Sequence, residues 1–224
     1  MPLTTADKIF TFYKKLQPPA ALPGNVEWLY PQKSKEVMKF VRAFLQKFYN
    51  DTDKRNLILG INPGRFGAGI TGVNFTAPRQ LSVNCRIEHT LGNASELSAE
   101  FIYEVIEKYG GPEIFYKNWF LGSVCPLGFV QNSVNINYYD DKTLQEAVMP
   151  FIVKSITGQV AFTGSNAACI CIGGAKNFNF LSSINDEYGW FRKIVPLPHP
   201  RFILQYKRKQ KDKYIEEYLS ALSL

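Results

Sequence analysis

Residues 57–75 read LILGINPGRFGAGITGVNF. An apolar run enters a segment with five glycines, carries Asn62 and Pro63 and closes on an aromatic, Phe75. Such a segment can build a pocket floor from exposed backbone amides and polar side-chain tips. It is not a Walker loop, because no Gly-Lys-Ser/Thr follows, and it lacks the G-x-G-x-x-G spacing of a dinucleotide fingerprint. A generic anion nest remains open to it, and Asn62 taken alone could simply cap a turn. Three further apolar runs end in small or polar residues. FLGSVCPL brings Ser123, ACICIGG brings Gly173 and Gly174, and PLPHPR brings His199 between two prolines. Taken singly, Phe75 reads as a core aromatic, and His199 as well satisfied by turn backbone as aimed at a ligand.

The elements between these points predict how they are held. Thr4 or Thr5 caps a first helix through about residue 16, and QPPAALPGN then breaks the chain. Ser34 opens a second helix whose Val37, Phe40, Val41, Phe44 and Leu45 share one face. NLILG, residues 56–60, is short, continuously apolar and followed by Gly and Pro, as a central parallel strand reads. A helix over residues 98–109 stops at Gly110-Gly111. NWFLGSVCPL holds a second strand, stopped by Pro126. Asp140 or Asp141 starts a long helix through about residue 156 with a kink expected at Pro150. ACICIGG is a third strand, AKNFNFLSSIN is helical, and RKIVPLPHP is a fourth strand. A last helix is expected over about residues 205–222. Alternating strands and helices predict an α/β fold, a three-layer α/β/α sandwich around a mainly parallel sheet of about four strands, within a single domain over residues 1–224. In open α/β sheets ligands bind beyond the carboxyl ends of the strands, which is where Asn62, Ser123, Gly173, Gly174 and His199 fall.

Composition narrows the classes. The 224 residues are 46% hydrophobic and 14% aromatic, enough for a sizeable core and unlike a disordered chain. No apolar run reaches the roughly 18–20 residues of a membrane helix, and the N-terminal residues do not read as a secretory signal. The expected compartment is the cytoplasm, nucleoid-associated in a bacterium, or the nucleus in a eukaryote. Cys85, Cys125, Cys169 and Cys171 form neither a zinc nor an iron–sulfur pattern, so buried free thiols and no metal are expected. The net charge of +7 is uneven: Arg201, Lys207, Arg208, Lys209, Lys211 and Lys213 stand against Asp212 alone. That cluster could mark a polyanion-binding face or a solvated helix face.

Three segments in order resemble one family. GINPGRFGAGITGVNF is similar to the first motif of the single-strand-selective monofunctional uracil-DNA glycosylases, within the uracil-DNA glycosylase superfamily. That motif reads G-M-N-P-G, F-G, T-G-V and then an aromatic 13 residues after the Asn, an interval that Asn62 and Phe75 keep. FLGSVCPL resembles the middle motif, which also ends C-P-L, and PLPHPR resembles the final H-P motif. Two departures stand out. The best-known members carry an Asn three residues before the C-P-L proline, where this chain has Ser123. Their final motif runs H-P-S-P-R, where this chain has HPRF, shorter by two residues. Both features look similar to a bacterial subgroup of the family.

The resemblance implies a uracil-DNA glycosylase fold and hydrolysis of the N-glycosidic bond of uracil in DNA; Ser123, with one hydroxyl where an amide offers two contacts, extends the expectation to other deaminated bases, xanthine or hypoxanthine. It implies a monofunctional enzyme that flips the base, with Asn62 holding the attacking water and His199 donating to the leaving base anion. Phe75 would stack on the base. Ser123 would touch its edge, and Gly64 and Ala68 in the 64–69 loop would add backbone amides. Arg201 or Phe202 would fill the gap left by the base, and Lys207, Arg208, Lys209 and Lys211 would bind phosphates. DNA, single- or double-stranded and containing deaminated bases, is then the expected partner of a monomer that needs no cofactor. The rival readings are a non-catalytic nucleic-acid or nucleotide binding module and a nucleoside hydrolase.

Overall fold

The computed structural model describes residues 2–223. The chain begins with α1 (Thr5–Lys14), β1 (Val26–Leu29), α2 (Lys35–Phe48) and β2 (Asn56–Gly60). Two short helices follow in the glycine-rich region, α3 (Ala68–Thr71) and α4 (Pro78–Val83), then α5 (Leu97–Tyr109), α6 (Pro112–Asn118) and β3 (Trp119–Ser123). A hairpin, β4 (Gly128–Gln131) and β5 (Val134–Ile136), precedes α7 (Lys142–Thr163). The chain closes with β6 (Ala168–Ile172), α8 (Gly174–Tyr188), β7 (Lys193–Leu197), α9 (Pro200–Tyr206) and α10 (Lys211–Ala221).

The expected parallel sheet is present, with four strands in the order β3-β2-β6-β7. Its strands alternate inward residues to two faces. Ile58, Leu121, Ile170 and Ile172 pack toward Ile102, Val105 and Ile106 of α5 and Tyr218 of α10. On the other face α8 lies over β6 and β7, where Asn177 reaches the Cys171 thiol, and α7 lies over β2. Central strands buried on both faces must be apolar throughout, which is why NLILG and ACICI carry no alternation. All four cysteines are free and buried, and desolvation pushes the thiols of Cys85, Cys125 and Cys171 up to about 12.

A second sheet, antiparallel and ordered β1-β4-β5, lies outside the expected architecture. Its hairpin turns at Asn132 and Ser133, both with positive φ (49° and 61°), the signature of a type I′ turn. The sheet packs against the glycine-rich loop. A Cβ on Gly128 would sit 2.2 Å from the Pro63 carbonyl oxygen, so this approach requires glycine.

Two helix limits differ from expectation. α7 continues through Pro150 and past residue 156 to Thr163, because its last turns bury Gln159, Phe162 and Thr163. Tertiary packing there outweighs the weak helix propensity of Thr157-Gly158. The C-terminal helix is instead two helices. α9 anchors through Ile203 and Leu204, α10 through Ile215 and Tyr218, and the exposed Lys207–Gln210 stretch between them, a short 3-10 turn, buries no residue. Three adjacent like charges also repel there.

Candidate active site

The strand register brings the carboxyl ends together. Gly60 pairs with Ser123 and Ile172 with Leu197, so the residues after β2, β3 and β7 emerge side by side. They border a cavity of about 380 Å³ that takes in Asn62, Gly64, Ala68, Phe75, Ser123, His199, Arg201 and Phe202. That volume lies within the ~300–1,000 Å³ range of small-molecule sites. Lys207, Arg208, Lys209 and Lys211 do not border it.

Asn62 is clamped by the exit of β5. Its Nδ2 donates to the Ile136 carbonyl at 3.3 Å and its Oδ1 accepts from the Tyr138 N–H at 3.2 Å. A carbonyl can only accept, so the amide has one orientation. Nδ2 also reaches the Pro63 carbonyl at 3.5 Å, which leaves one Oδ1 lone pair for a water or ligand. The loop beyond is also tied to the hairpin. The Arg65 N–H donates to Asn135 Oδ1, the Arg65 guanidinium donates to the Ser133 carbonyl, and that guanidinium lies 4.5 Å from the Phe66 ring centroid. The backbone amides of Gly67 and Gly69 both donate to the Gly64 carbonyl. The loop's amide floor is therefore narrower than expected, with Arg65, Gly67 and Gly69 already engaged.

Phe75 adopts φ 53°, a left-handed conformation that is strained for an aromatic residue. Buried threonines hold it. The Thr71 hydroxyl accepts from Val73 N–H and donates to the Thr76 carbonyl at 2.6 Å, while the Thr76 hydroxyl bonds Tyr103 at 3.0 Å. The ring lies across Gly60, where a Cβ would come within 2.7 Å of a ring carbon. Any larger residue at 60 would push the ring out of place.

Ser123 is 2% exposed, its backbone pinned by Gln159 of α7 through Ser123 N–H to Oε1 (3.3 Å) and Nε2 to the Ser123 carbonyl (3.0 Å). Its hydroxyl donates to Asn74 Oδ1 at 3.4 Å. Asn74 in turn donates from Nδ2 to the Leu121 carbonyl at 3.3 Å and also borders the cavity.

His199 caps α9: its Nδ1 accepts from the Arg201 N–H at 3.2 Å. Desolvation, with the Arg201 charge beside it, lowers its pKa to about 4. The ring is therefore neutral near pH 7 with its proton on Nε2, a hydrogen-bond donor without a formal charge. Arg201 itself pairs with Glu96 at 3.2 Å. Glu96 lies in the cavity wall at 13% side-chain exposure, and burial raises its pKa against the pull of Arg201. On the rim, Phe202 and Tyr206 of α9 are exposed with centroids 5.7 Å apart. Lys211 pairs with Glu104 at 2.6 Å and Arg208 donates to the Leu204 carbonyl, whereas Lys207 and Lys209 are exposed and make no ion pair among the described residues.

Sequence reasoning missed Asn74, Glu96, Asn135, Asn137, Tyr139, Gln205 and Tyr206, all of which border the cavity. Asn74 carried no signal of its own beyond its place next to Phe75. The hairpin residues carried no comparable signal, because strands of four and three residues are too short for a periodic pattern.

A family model of the uracil DNA glycosylase superfamily matches residues 46–223. Among solved structures, the chain is similar to the crystal structure of wild-type SMUG2 from Pedobacter heparinus. The two are 43% identical with a TM-score of 0.95, over 99% of this chain and 98% of that one. No curated protein matches.

Proposed function

The chain belongs to the uracil DNA glycosylase superfamily, and from that premise we propose that it is a monofunctional DNA N-glycosylase that removes uracil and related deaminated bases. The observation that carries this reading is the meeting of Asn62, Phe75, Ser123 and His199, from three separate chain segments, around one cavity.

A base inside a stack is out of reach, so the nucleotide is flipped out at a cost of a few kcal/mol. Stacking on Phe75, worth about 1–3 kcal/mol, offsets much of this. Asn62 Oδ1 holds a water against C1′. As the water oxygen bonds C1′, the electron pair of the C1′–N bond leaves with the base, and the water's proton passes to solvent. The base departs as an anion. His199 Nε2–H donates to its O2, an interaction worth about 3–4 kcal/mol when it strengthens with the developing charge. A neutral imidazole suits this role because it is already oriented by its Nδ1 cap. Asn62 is a weak base, and a cation-like sugar needs little activation of water, so a modest rate is expected.

Phe202 and Tyr206 suit the space vacated by the base better than Arg201, which is held by Glu96. Lys207 and Lys209, both exposed, would bind phosphates. The test is alkali cleavage of an end-labelled uracil-containing strand after incubation. The unaltered protein should yield a nick at the uracil, and Asn62→Ala should suppress it while DNA binding persists. An intact strand with retained binding would mean a binding module instead.

A further inference from the structure

The pair Asn74 and Ser123 forms a second feature of this cavity, and what it offers a ligand follows from its hydrogen bonds. The Leu121 carbonyl accepts from Asn74 Nδ2, which fixes the amide orientation. Oδ1 must then face the Ser123 hydroxyl, whose single hydrogen is committed to it. What the two residues still offer a ligand includes one Nδ2–H donor on Asn74 and both lone pairs of Ser123 Oγ. Both residues border the cavity, and both are nearly buried, at 9% and 2% exposure, so neither is well placed to satisfy itself with bulk water.

We propose that Asn74 and Ser123 together read the lactam edge of the flipped base, Ser123 Oγ accepting from its ring N–H and Asn74 Nδ2–H donating to its exocyclic oxygen. This rests on the glycosylase reading above and names how its substrates are chosen. Uracil presents N3–H beside O4, and hypoxanthine and xanthine present N1–H beside O6. All three match. Cytosine and adenine present the reverse order, a ring acceptor beside an amino donor. The amide cannot turn over to suit them, because its oxygen would then face the Leu121 carbonyl oxygen. Two side chains thus supply the donor and acceptor that a single amide would carry, and they do so with an edge common to deaminated bases of different ring size. Guanine and thymine share that edge, so this pair does not discriminate against them; their extra amino and methyl groups must be met elsewhere in the wall.

The experiment measures single-turnover excision from single strands carrying uracil or 4-thiouracil, whose sulfur accepts hydrogen bonds weakly, by the unaltered protein, Asn74→Ala and Asn74→Asp. Affinity for an abasic-site strand reports whether each variant keeps its fold and DNA surface, and the Asp variant, equal in size, serves if the Ala variant does not fold. With uracil, both variants should slow excision by about 10- to 100-fold, the range expected for a base-edge contact. With 4-thiouracil the same variants should lose less than about threefold, because the oxygen that Asn74 contacts is already gone. Abasic-strand affinity should hold. Equal losses on both bases would make Asn74 merely structural and overturn the inference, as would undiminished uracil excision. If the unaltered protein excises neither base, the glycosylase reading itself fails and takes this inference with it.

Discussion

The two histidines sit in turns of the same local design and end in different situations. In each, Nδ1 accepts a backbone N–H from two residues on, Leu91 for His89 and Arg201 for His199. The contrast lies at the other nitrogen. His89 Nε2 is closed off by the Pro78 carbonyl at 2.7 Å, between α4 and α5. The ring of His199 borders the cavity, where the chain leaves β7 for α9. One imidazole has both nitrogens consumed by backbone groups. The other is tethered at one nitrogen and faces a pocket with the second. A satisfied nitrogen stabilises a turn; an oriented and unspent N–H can do chemistry.

The largest effect should separate the two. His199→Ala is expected to lower single-turnover uracil excision by about 10²- to 10³-fold. His89→Ala should leave the rate within about threefold and instead lower stability by about 1 kcal/mol, the usual worth of a lost hydrogen bond, read as a shift in the denaturant midpoint. Equal rate losses would erase the distinction. Next in size, Phe75→Ala should slow excision by about 5- to 150-fold, corresponding to the ~1–3 kcal/mol of base stacking. Gly60→Val should slow it too, by displacing the Phe75 ring.

The pH response sharpens the comparison further. His199 is neutral in the folded protein down to about pH 4, below its ordinary value of 6.5. The unfolded chain therefore binds a proton that the folded chain refuses between these values. Its contribution to stability is complete above about pH 6.5 and is lost as pH falls toward 4. Side-chain NMR should show the His199 midpoint near 4, and excision should show no step at 6.5. A midpoint near 6.5 would remove the neutral donor from the mechanism. The smallest effect concerns the rim: Lys207→Ala or Lys209→Ala should each reduce the salt slope of DNA affinity by about 0.7–0.9, measured by titration at several salt concentrations. The same change at Lys211 should do less, because Glu104 already holds it.

The sequence was legible wherever a local rule was strong. Four strands announced themselves as short apolar runs ending in Gly, Pro or Ser, and their carboxyl ends named Asn62, Ser123 and His199 before any contact was known. The 13-residue interval to Phe75 was a family signature, and the reason for it is spatial: the ring must fold back over Gly60 with φ 53°. The antiparallel sheet was not legible because β1 and β4 are only four residues each and β5 three, too short for a periodic signal. Yet that sheet clamps Asn62. Asn74 and Glu96 were hidden for another reason. Their roles depend on partners at Leu121, Ser123 and Arg201, distant in the chain, and no local pattern encodes such pairings.

The account stands or falls on one extruded base being shared by the residues after β2, β3 and β7. The most direct measurement is a crystal structure of Asn62→Ala, which keeps His199 and Phe75, bound to a uracil-containing single strand. The expected result is uracil stacked on Phe75 inside the cavity, with its O2 within hydrogen-bonding distance of His199 Nε2. Uracil still stacked in the strand, or bound away from that imidazole, would contradict it.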